Sequence, residues 1–246
     1  MHKKLRLILP VLVLLLVLFT AGFFVWGETA AQPMPEALTA LKSDERVTVT
    51  DGQWLTFAPV DRQSDIGFIF YPGARVDYRA YAPAARQIAE NGILVVIVRM
   101  PLNLAVFNIN AAEKVEASYP QIKTWAIGGH SLGGSMAAAY AKSYPDSIKG
   151  LVLWASYPAS NDNLSQLRLK VVSIFGSQDG LATLEEIEAS RLLLPADTTW
   201  VEIEGGNHAQ FGWYGDQAGD HPPAISRDSQ QRQVITATLG LMERLK

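Results

Sequence analysis

The chain has 246 residues, a formal net charge of -3 at pH 7 and no cysteine. Charges of both signs are scattered along the sequence, so there is no basic stripe for a nucleic-acid backbone, and no nucleic-acid partner is expected. The absence of cysteine excludes disulfides, thiolate metal sites and a cysteine nucleophile, and it leaves an extracytoplasmic location open.

The N-terminal residues 1–27 have the pattern of a membrane anchor or signal segment. An uncharged apolar run at residues 7–27 follows a group of basic residues: His2, Lys3, Lys4 and Arg6. As a helix this run would extend about 31 Å, which matches the hydrocarbon thickness of a bilayer. Positive charge before the run, with Glu28 and Glu36 after it, favours a cytoplasmic N-terminus. We therefore expect a single-pass cell-membrane protein with an extracytoplasmic C-terminal domain.

Two alternatives remain for this segment. A cleaved signal peptide usually has a shorter apolar region that ends in small residues, and Thr29, Ala30 and Ala31 are small enough for a cleavage site; the domain would then be secreted. A buried core helix is the other alternative. The anchor is favoured because residues 23–26 prolong the apolar stretch and Trp26 stands where an interfacial aromatic residue would lie.

Residues 28–46 are predicted to form a linker with a short helix that carries Leu38 and Leu41. The folded domain is expected at residues 47–246. It should open with two antiparallel strands at residues 47–50 and 54–59, because Asp51-Gly52 between them is a two-residue hairpin signal.

From residue 66 onward, short apolar β-branched runs alternate with longer helical patterns. The predicted strands are residues 66–71, 93–98, 124–128, 150–155, 170–175 and 199–203, and the predicted helices are residues 81–90, 104–118, 132–143, 184–194 and 229–245. The last helix has Asp228 at a plausible N-cap and Gln231 three residues later. This alternation predicts an α/β domain with a doubly wound, mostly parallel sheet covered on both faces. Reactive groups in such sheets gather at the carboxyl ends of the strands.

The strongest motif is Gly-His-Ser-Leu-Gly at residues 129–133, which fits G-x-S-x-G between a predicted strand and a predicted helix. A tight turn there would hold Ser131 above the sheet, and the glycines avoid clashes with neighbouring elements. The helix N-terminus would favour negative charge that develops near Ser131. The structural alternative is a serine that merely caps a helix.

His208 is the candidate base because it follows the strand at residues 199–203 and so lies at the same sheet edge as Ser131. His2 is in the leader, His130 is inside the motif and His221 precedes two prolines. An imidazole exchanges protons near neutral pH, which suits a base for a serine.

Asp179 is the candidate acid, since it follows the strand at residues 170–175 as His208 follows the next strand. Such a carboxylate fixes the tautomer of the histidine and stabilises its charged form. Asp162 is the reserve candidate. Asp197, Asp216 and Asp220 have the pattern of solvated loop residues.

Residues 129–134, 176–180 and 206–208, in this order, resemble the α/β-hydrolase family. The resemblance covers residues 47–246 and implies a triad of Ser131, Asp179 and His208. It also implies an oxyanion hole from the N–H of Leu132 and a donor in the loop after residues 66–71. Ala74 is preferred over Gly73 there, because Tyr71-Pro72-Gly73-Ala74 replaces the usual His-Gly.

A serine in the tight turn of the G-x-S-x-G motif, the nucleophile elbow, points to acyl transfer. The short segment at residues 154–169 leaves little or no room for a cap domain. The chain looks similar to small dienelactone-hydrolase-like or carboxylesterase-like members, although the dienelactone enzymes carry a cysteine nucleophile. We expect hydrolysis of a small-molecule ester through an acyl-enzyme, with no metal and no organic cofactor. Candidate pocket walls, each equally explicable as packing, are Tyr71, Arg75, Met100, Leu102, Asn103, Tyr157, Phe211 and Trp213.

Three other functions remain open. An acyltransferase or a peptidase would use the same triad, and a catalytically silent hydrolase fold would act as a binding module. The presence of all three triad residue types argues against the silent module, because a binding module has no need of the strained elbow.

Overall fold

A computed structural model describes residues 2–60 and 65–246. Met1 and residues 61–64 lie outside this description, as do the side chains of residues 2–9 with their basic group. The first helix, α1, is His2–Glu28. Among the described helices it is the one long and apolar enough to cross a membrane, over Pro10–Glu28 with a mean hydropathy of 2.3. A signal sequence has the same properties, so either role fits this helix.

The described residues contain eight strands that form one sheet in the order β1-β2-β4-β3-β5-β6-β7-β8. The strands are β1 Val47–Asp51, β2 Leu55–Pro59, β3 Ile66–Tyr71, β4 Leu94–Ile97, β5 Thr124–His130, β6 Ile148–Trp154, β7 Lys170–Gly176 and β8 Thr199–Ile203. Strands β1 and β2 pair antiparallel, as do β2 and β4, and β3 to β8 are all parallel. The predicted doubly wound, mostly parallel sheet is confirmed. We call the edge at which β3 to β8 end the carboxyl rim.

Helices cover both faces of this sheet. They are α2 Pro35–Thr39, α3 Ala82–Glu90, α4 Ala111–Ser118, α5 Leu132–Ser143, α6 Leu184–Ser190 and α7 Arg227–Glu243. Side chains alternate along β3, so Phe68 and Phe70 join the core under α3 and α7, whereas Ile69 and Tyr71 join the core under α4 and α5. Burial on both faces explains why the strands read as continuous apolar runs.

Several predicted boundaries differ from the structure. Asp51 pairs with Leu55, so the first hairpin has a three-residue loop rather than two residues. The helix predicted at residues 104–118 begins only at Ala111, because the chain before it forms two short 3-10 turns. The last helix is capped by Ser226, whose hydroxyl accepts from the Ser229 N–H at 3.3 Å, and Asp228 lies in its first turn instead.

Residues 28–46, predicted as a linker with a short helix, contain helix α2 and pack against the sheet domain. The Met34 N–H donates to the Trp213 carbonyl at 2.8 Å, and Ala37 is buried. Arg86 on α3 donates to the Ala40 carbonyl at 3.0 Å and pairs with Asp44 at 2.7 Å. The predicted domain boundaries at residues 28 and 47 stay a prediction.

Candidate active site

Ser131 lies in a strained turn between β5 and α5. Its φ of 53° and ψ of -127° fall in a region that residues with a Cβ rarely adopt. Glycines on both sides make the turn possible: a Cβ on Gly129 would lie 2.5 Å from the Tyr71 carbonyl oxygen, and one on Gly133 would collide with the same oxygen. The G-x-S-x-G motif thus allows close packing of the elbow against the end of β3.

The backbone around Ser131 holds the elbow in place. The Ser131 N–H donates to the Trp154 carbonyl at 3.0 Å, and the Ser131 carbonyl accepts from the Ser156 hydroxyl at 2.6 Å. The N–H groups of Gly134 and Ser135 donate to that carbonyl as α5 begins. The side chain of Ser131 contributes no cap to the helix, so the alternative of a mere capping serine does not describe this turn.

Asp179 and His208 form a buried pair. Nδ1 of His208 lies 2.8 Å from Oδ2 of Asp179, and the two side chains are 1% and 0% exposed. The other oxygen of Asp179 accepts from the N–H groups of Leu181 at 2.8 Å and Ala182 at 2.7 Å. Both carboxylate oxygens therefore have donors, which fixes the carboxylate beside the ring.

The second nitrogen of His208 has no hydrogen-bond partner among the described residues. Nε2 is buried and makes no hydrogen bond within residues 2–60 and 65–246, and a buried polar atom without a partner is costly unless it serves a purpose. Ser131 and His208 line the same cavity. The predicted hydrogen bond between Nε2 and Ser131 Oγ is not formed here, and catalytic hydrogen bonds often tighten only with substrate bound.

The cavity has a volume of about 240 Å³. It is lined by Ser131, Leu132, Ser135, Ala155, Ser156, Tyr157, Leu181, Ala182 and His208. Tyr157 donates to Glu186 at 2.7 Å, and burial, together with this bond, raises the pKa of Tyr157 to about 12. Its hydroxyl therefore stays protonated at neutral pH.

Most of the predicted pocket walls lie elsewhere. Tyr71 and Met100 are buried under α4 and α5, and the Tyr71 hydroxyl donates to the Ile109 carbonyl at 2.6 Å. Phe211 is buried against His130, and Trp213 is 9% exposed; neither is part of the cavity lining. Bulky residues at strand ends complete the core here, and Tyr157 alone of the predicted pocket residues lines the cavity.

The oxyanion-hole donors stay a prediction. Leu132 occupies the first position of α5, where an N–H has no partner within the helix, and it lines the cavity. The Gly73 N–H donates to the Tyr81 hydroxyl at 3.0 Å. Ala74 lines a neighbouring cavity of about 530 Å³ together with Thr29 and Tyr214, not the cavity of Ser131.

Asp162, the reserve acid, contacts a different part of the domain from His208. It pairs with Lys142 at 3.2 Å and lines a different cavity beside Phe107. His221 is exposed. The structure therefore brings together the first-choice residues, Asp179 and His208, and leaves the reserve acid Asp162 outside.

His130, which sequence reasoning set aside, lies directly beside the candidate base. Its ring centroid is 4.4 Å from that of His208, and its Nδ1 is 2.9 Å from the Tyr81 hydroxyl. Burial, and then the nearby charge of a protonated His208, holds the pKa of His130 well below its usual range. His130 is thus uncharged at neutral pH. Its place inside the G-x-S-x-G motif was the sequence feature that could have indicated its position beside His208.

Asp220 was predicted to be a solvated loop residue and is instead a bridge between two loops. One carboxylate oxygen accepts from the N–H groups of Gly180 at 3.1 Å and His208 at 3.2 Å. The other accepts from Ala209 at 2.8 Å. The loop that carries Asp179 and the loop that carries His208 are therefore both held by Asp220.

A family model described as alpha/beta hydrolase family matches residues 67–232. No curated protein matches the chain. Among solved structures, a dienelactone hydrolase-like promiscuous phosphotriesterase from metagenomic libraries is similar at 15% identity and a TM-score of 0.58, covering 78% of this chain and 92% of that one.

Two other solved structures are similar to the same extent. The esterase domain of a Rhodothermus marinus protein has 13% identity and a TM-score of 0.58, covering 77% of this chain and 92% of that one. A putative dienelactone hydrolase from Klebsiella pneumoniae has 14% identity and a TM-score of 0.58, covering 80% of this chain and 97% of that one. At these identities the likeness shows the fold.

Proposed function

Because the chain belongs to the alpha/beta hydrolase family, we propose that it is a serine hydrolase of carboxylic ester bonds with a Ser131, His208 and Asp179 triad. One observation carries the proposal. His208 is paired with the buried Asp179, has no hydrogen-bond partner for its Nε2 among the described residues, and lines the same cavity as the strained Ser131. A binding module has no need of this combination.

The chemistry runs in two halves. Ser131 Oγ attacks the ester carbonyl while His208 Nε2 takes the hydroxyl proton, and that proton then goes to the departing alcohol oxygen as the ester C–O bond breaks. Water attacks the resulting acyl-enzyme with His208 again as base, which releases the carboxylic acid and restores Ser131. Asp179 stabilises the charged imidazole in both halves, and the Leu132 N–H stabilises the oxyanion.

The ester class is favoured by similar structures described as an esterase domain and as a putative dienelactone hydrolase. Dienelactone enzymes use cysteine, which this chain lacks, so a serine acyl-enzyme is the matching chemistry. Acyl transfer to another alcohol and peptide cleavage use the same triad and are decided by substrate tests.

Labelling of the full chain with a fluorophosphonate, together with p-nitrophenyl esters and peptide substrates, tests this function. We expect covalent labelling and turnover of short-chain esters, because an activated serine attacks both reagents. Peptide turnover without ester turnover would replace the ester assignment by a peptidase. Absence of labelling and of all turnover would leave the silent module.

Asp220→Ala is expected to lower kcat by about tenfold to a hundredfold with a small change in KM. The N–H groups of His208 and Ala209 lose their acceptor, and small displacements of a base are costly in rate. Asp216→Ala is the matched control, since Asp216 is exposed in the same loop and it is Asp220, not Asp216, that accepts from the His208 and Ala209 N–H groups. Equal kinetics for both variants would remove the positioning role of Asp220.

We also propose that α1 is retained as a single-pass anchor with the hydrolase domain on the extracytoplasmic side. The supporting features are the length of the apolar helix and the basic residues before it. Small residues at 29–31 make a secreted form the alternative.

A further inference from the structure

The domain caps the end of the apolar helix α1. The last carbonyls of a helix have no partner within it, and here side chains from the domain serve them. Arg75 donates to the carbonyls of Trp26 at 3.1 Å and Thr29 at 2.8 Å, and Asn103 donates to the Gly27 carbonyl at 3.1 Å. A cation at the negative end of a helix dipole is stabilising. The end of α1 is therefore held by a set of domain residues around Arg75 and Asn103, which we call the socket.

The socket is made by two loops of the carboxyl rim, after β3 and after β4. The Arg75 N–H donates to the Asn103 carbonyl at 2.8 Å and joins them. Arg75, Leu102 and Asn103 all have positive φ, between 52° and 55°, a conformation that non-glycine residues adopt only when their surroundings require it. A Cβ on Gly27 would lie 2.8 Å from Cβ of Leu102, so the approach of helix and loop is close.

The chain that follows the helix is tied to the same place. Ala31 forms a β-bridge with Val76, in which the Ala31 N–H donates to the Arg75 carbonyl at 2.7 Å and the Asp77 N–H donates to the Ala31 carbonyl at 3.0 Å. A flexible linker after α1 would allow the domain to take many orientations relative to the helix. These bonds on both sides of residue 28 fix the orientation of the rim relative to the helix axis.

Val106 and Phe107 form an apolar surface beside α1, level with Phe23 near the end of the helix. The ring of Phe107 meets that of Phe23 edge to face, with centroids 6.3 Å apart. Val106 and Phe107 are 42% and 50% exposed. Phe23 precedes the helix end at Glu28 by five residues, which is about 7 Å along the axis. If α1 crosses a bilayer, Val106 and Phe107 lie at the boundary between headgroups and acyl chains.

The cavity of Ser131 belongs to the same rim. Ser131, Asp179 and His208 follow the carboxyl ends of β5, β7 and β8, and the socket loops follow β3 and β4. We propose that the carboxyl rim rests on the outer surface of the bilayer with Val106 and Phe107 embedded, and that the substrates are amphiphilic acyl esters drawn from that bilayer. The substrate part of this inference rests on the proposed serine hydrolase function.

A depth measurement tests the orientation. The chain has no cysteine, so Phe107→Cys places one dye on the full chain, reconstituted in vesicles with brominated acyl chains. Leu192→Cys is the matched control, because Leu192 is 84% exposed and lies between α6 and the start of β8, away from the rim. We expect several-fold stronger quenching at position 107. Equal quenching at both positions, or a membrane-extracted mature chain that lacks residues 1–27, overturns the proposal.

A kinetic comparison tests the substrate class. We expect the Val106→Ser, Phe107→Ser double variant to lose several-fold in turnover of a long-chain fluorogenic ester dissolved in vesicles, and to keep the wild-type rate on soluble p-nitrophenyl acetate. An equal loss of turnover on both esters overturns the inference that the substrates come from the bilayer. If the wild type turns over neither ester and takes no fluorophosphonate, the proposed function fails instead, while the quenching result still decides the orientation.

Discussion

Ser131→Ala is expected to lower ester turnover by on the order of 10⁴-fold or more and to abolish fluorophosphonate labelling. Removing the nucleophile of a triad disables the unit, so the remaining rate comes from binding and oxyanion stabilisation alone. The hydroxyl of Ser131 makes no capping bond to α5, so its loss leaves no buried donor unpaired. Thermal unfolding of the variant should therefore stay close to that of the wild type.

Ser135→Ala is the matched control for this experiment. Ser135 lines the same cavity and lies on α5, four residues after Ser131, so the two share residue type and partial burial. It lacks the strained backbone that marks Ser131. Labelling that survives in Ser131→Ala and disappears in Ser135→Ala would assign the nucleophile to position 135 and contradict the elbow interpretation.

The architecture was predictable because its signals are local. Strands β3 and β8 have the predicted bounds, since buried parallel strands read as short apolar runs. Helix α5 also begins and ends where expected. The helix predicted at residues 104–118 begins only at Ala111. The residues before it form a 3-10 turn that buries Ala105 in the core and leaves Val106 and Phe107 exposed beside α1.

The candidate site was predictable where chain order and strand ends determine it, and less so where the path of a loop determines it. Asp179 and His208 each follow a strand directly, and they meet at 2.8 Å. Asp220 lies far along a return loop, and its bonds to Gly180 and His208 depend on where that loop folds back. Aromatic residues such as Phe211 fill the core beneath the site, which residue type alone does not distinguish from a pocket wall.

Asp179→Asn is expected to cost on the order of 10³-fold to 10⁴-fold in kcat, far more than Asp162→Asn. The carboxylate uses one oxygen for His208 Nδ1 and the other for the N–H groups of Leu181 and Ala182. An asparagine has one acceptor oxygen and one amide, so it cannot serve both sides.

If the oxygen of the asparagine stays with the backbone, its amide faces Nδ1, which must then accept. The ring then carries its proton on Nε2 and can no longer take one from Ser131. Asp162 pairs with the partly exposed Lys142, and such pairs contribute little, so its variant should keep near wild-type kinetics. Steady-state kcat for both variants measures the ranking, and a larger loss in Asp162→Asn would reassign the acid. Because both substitutions remove one negative charge from the domain, a general electrostatic effect would lower the two rates alike, and only direct contact with the imidazole separates them.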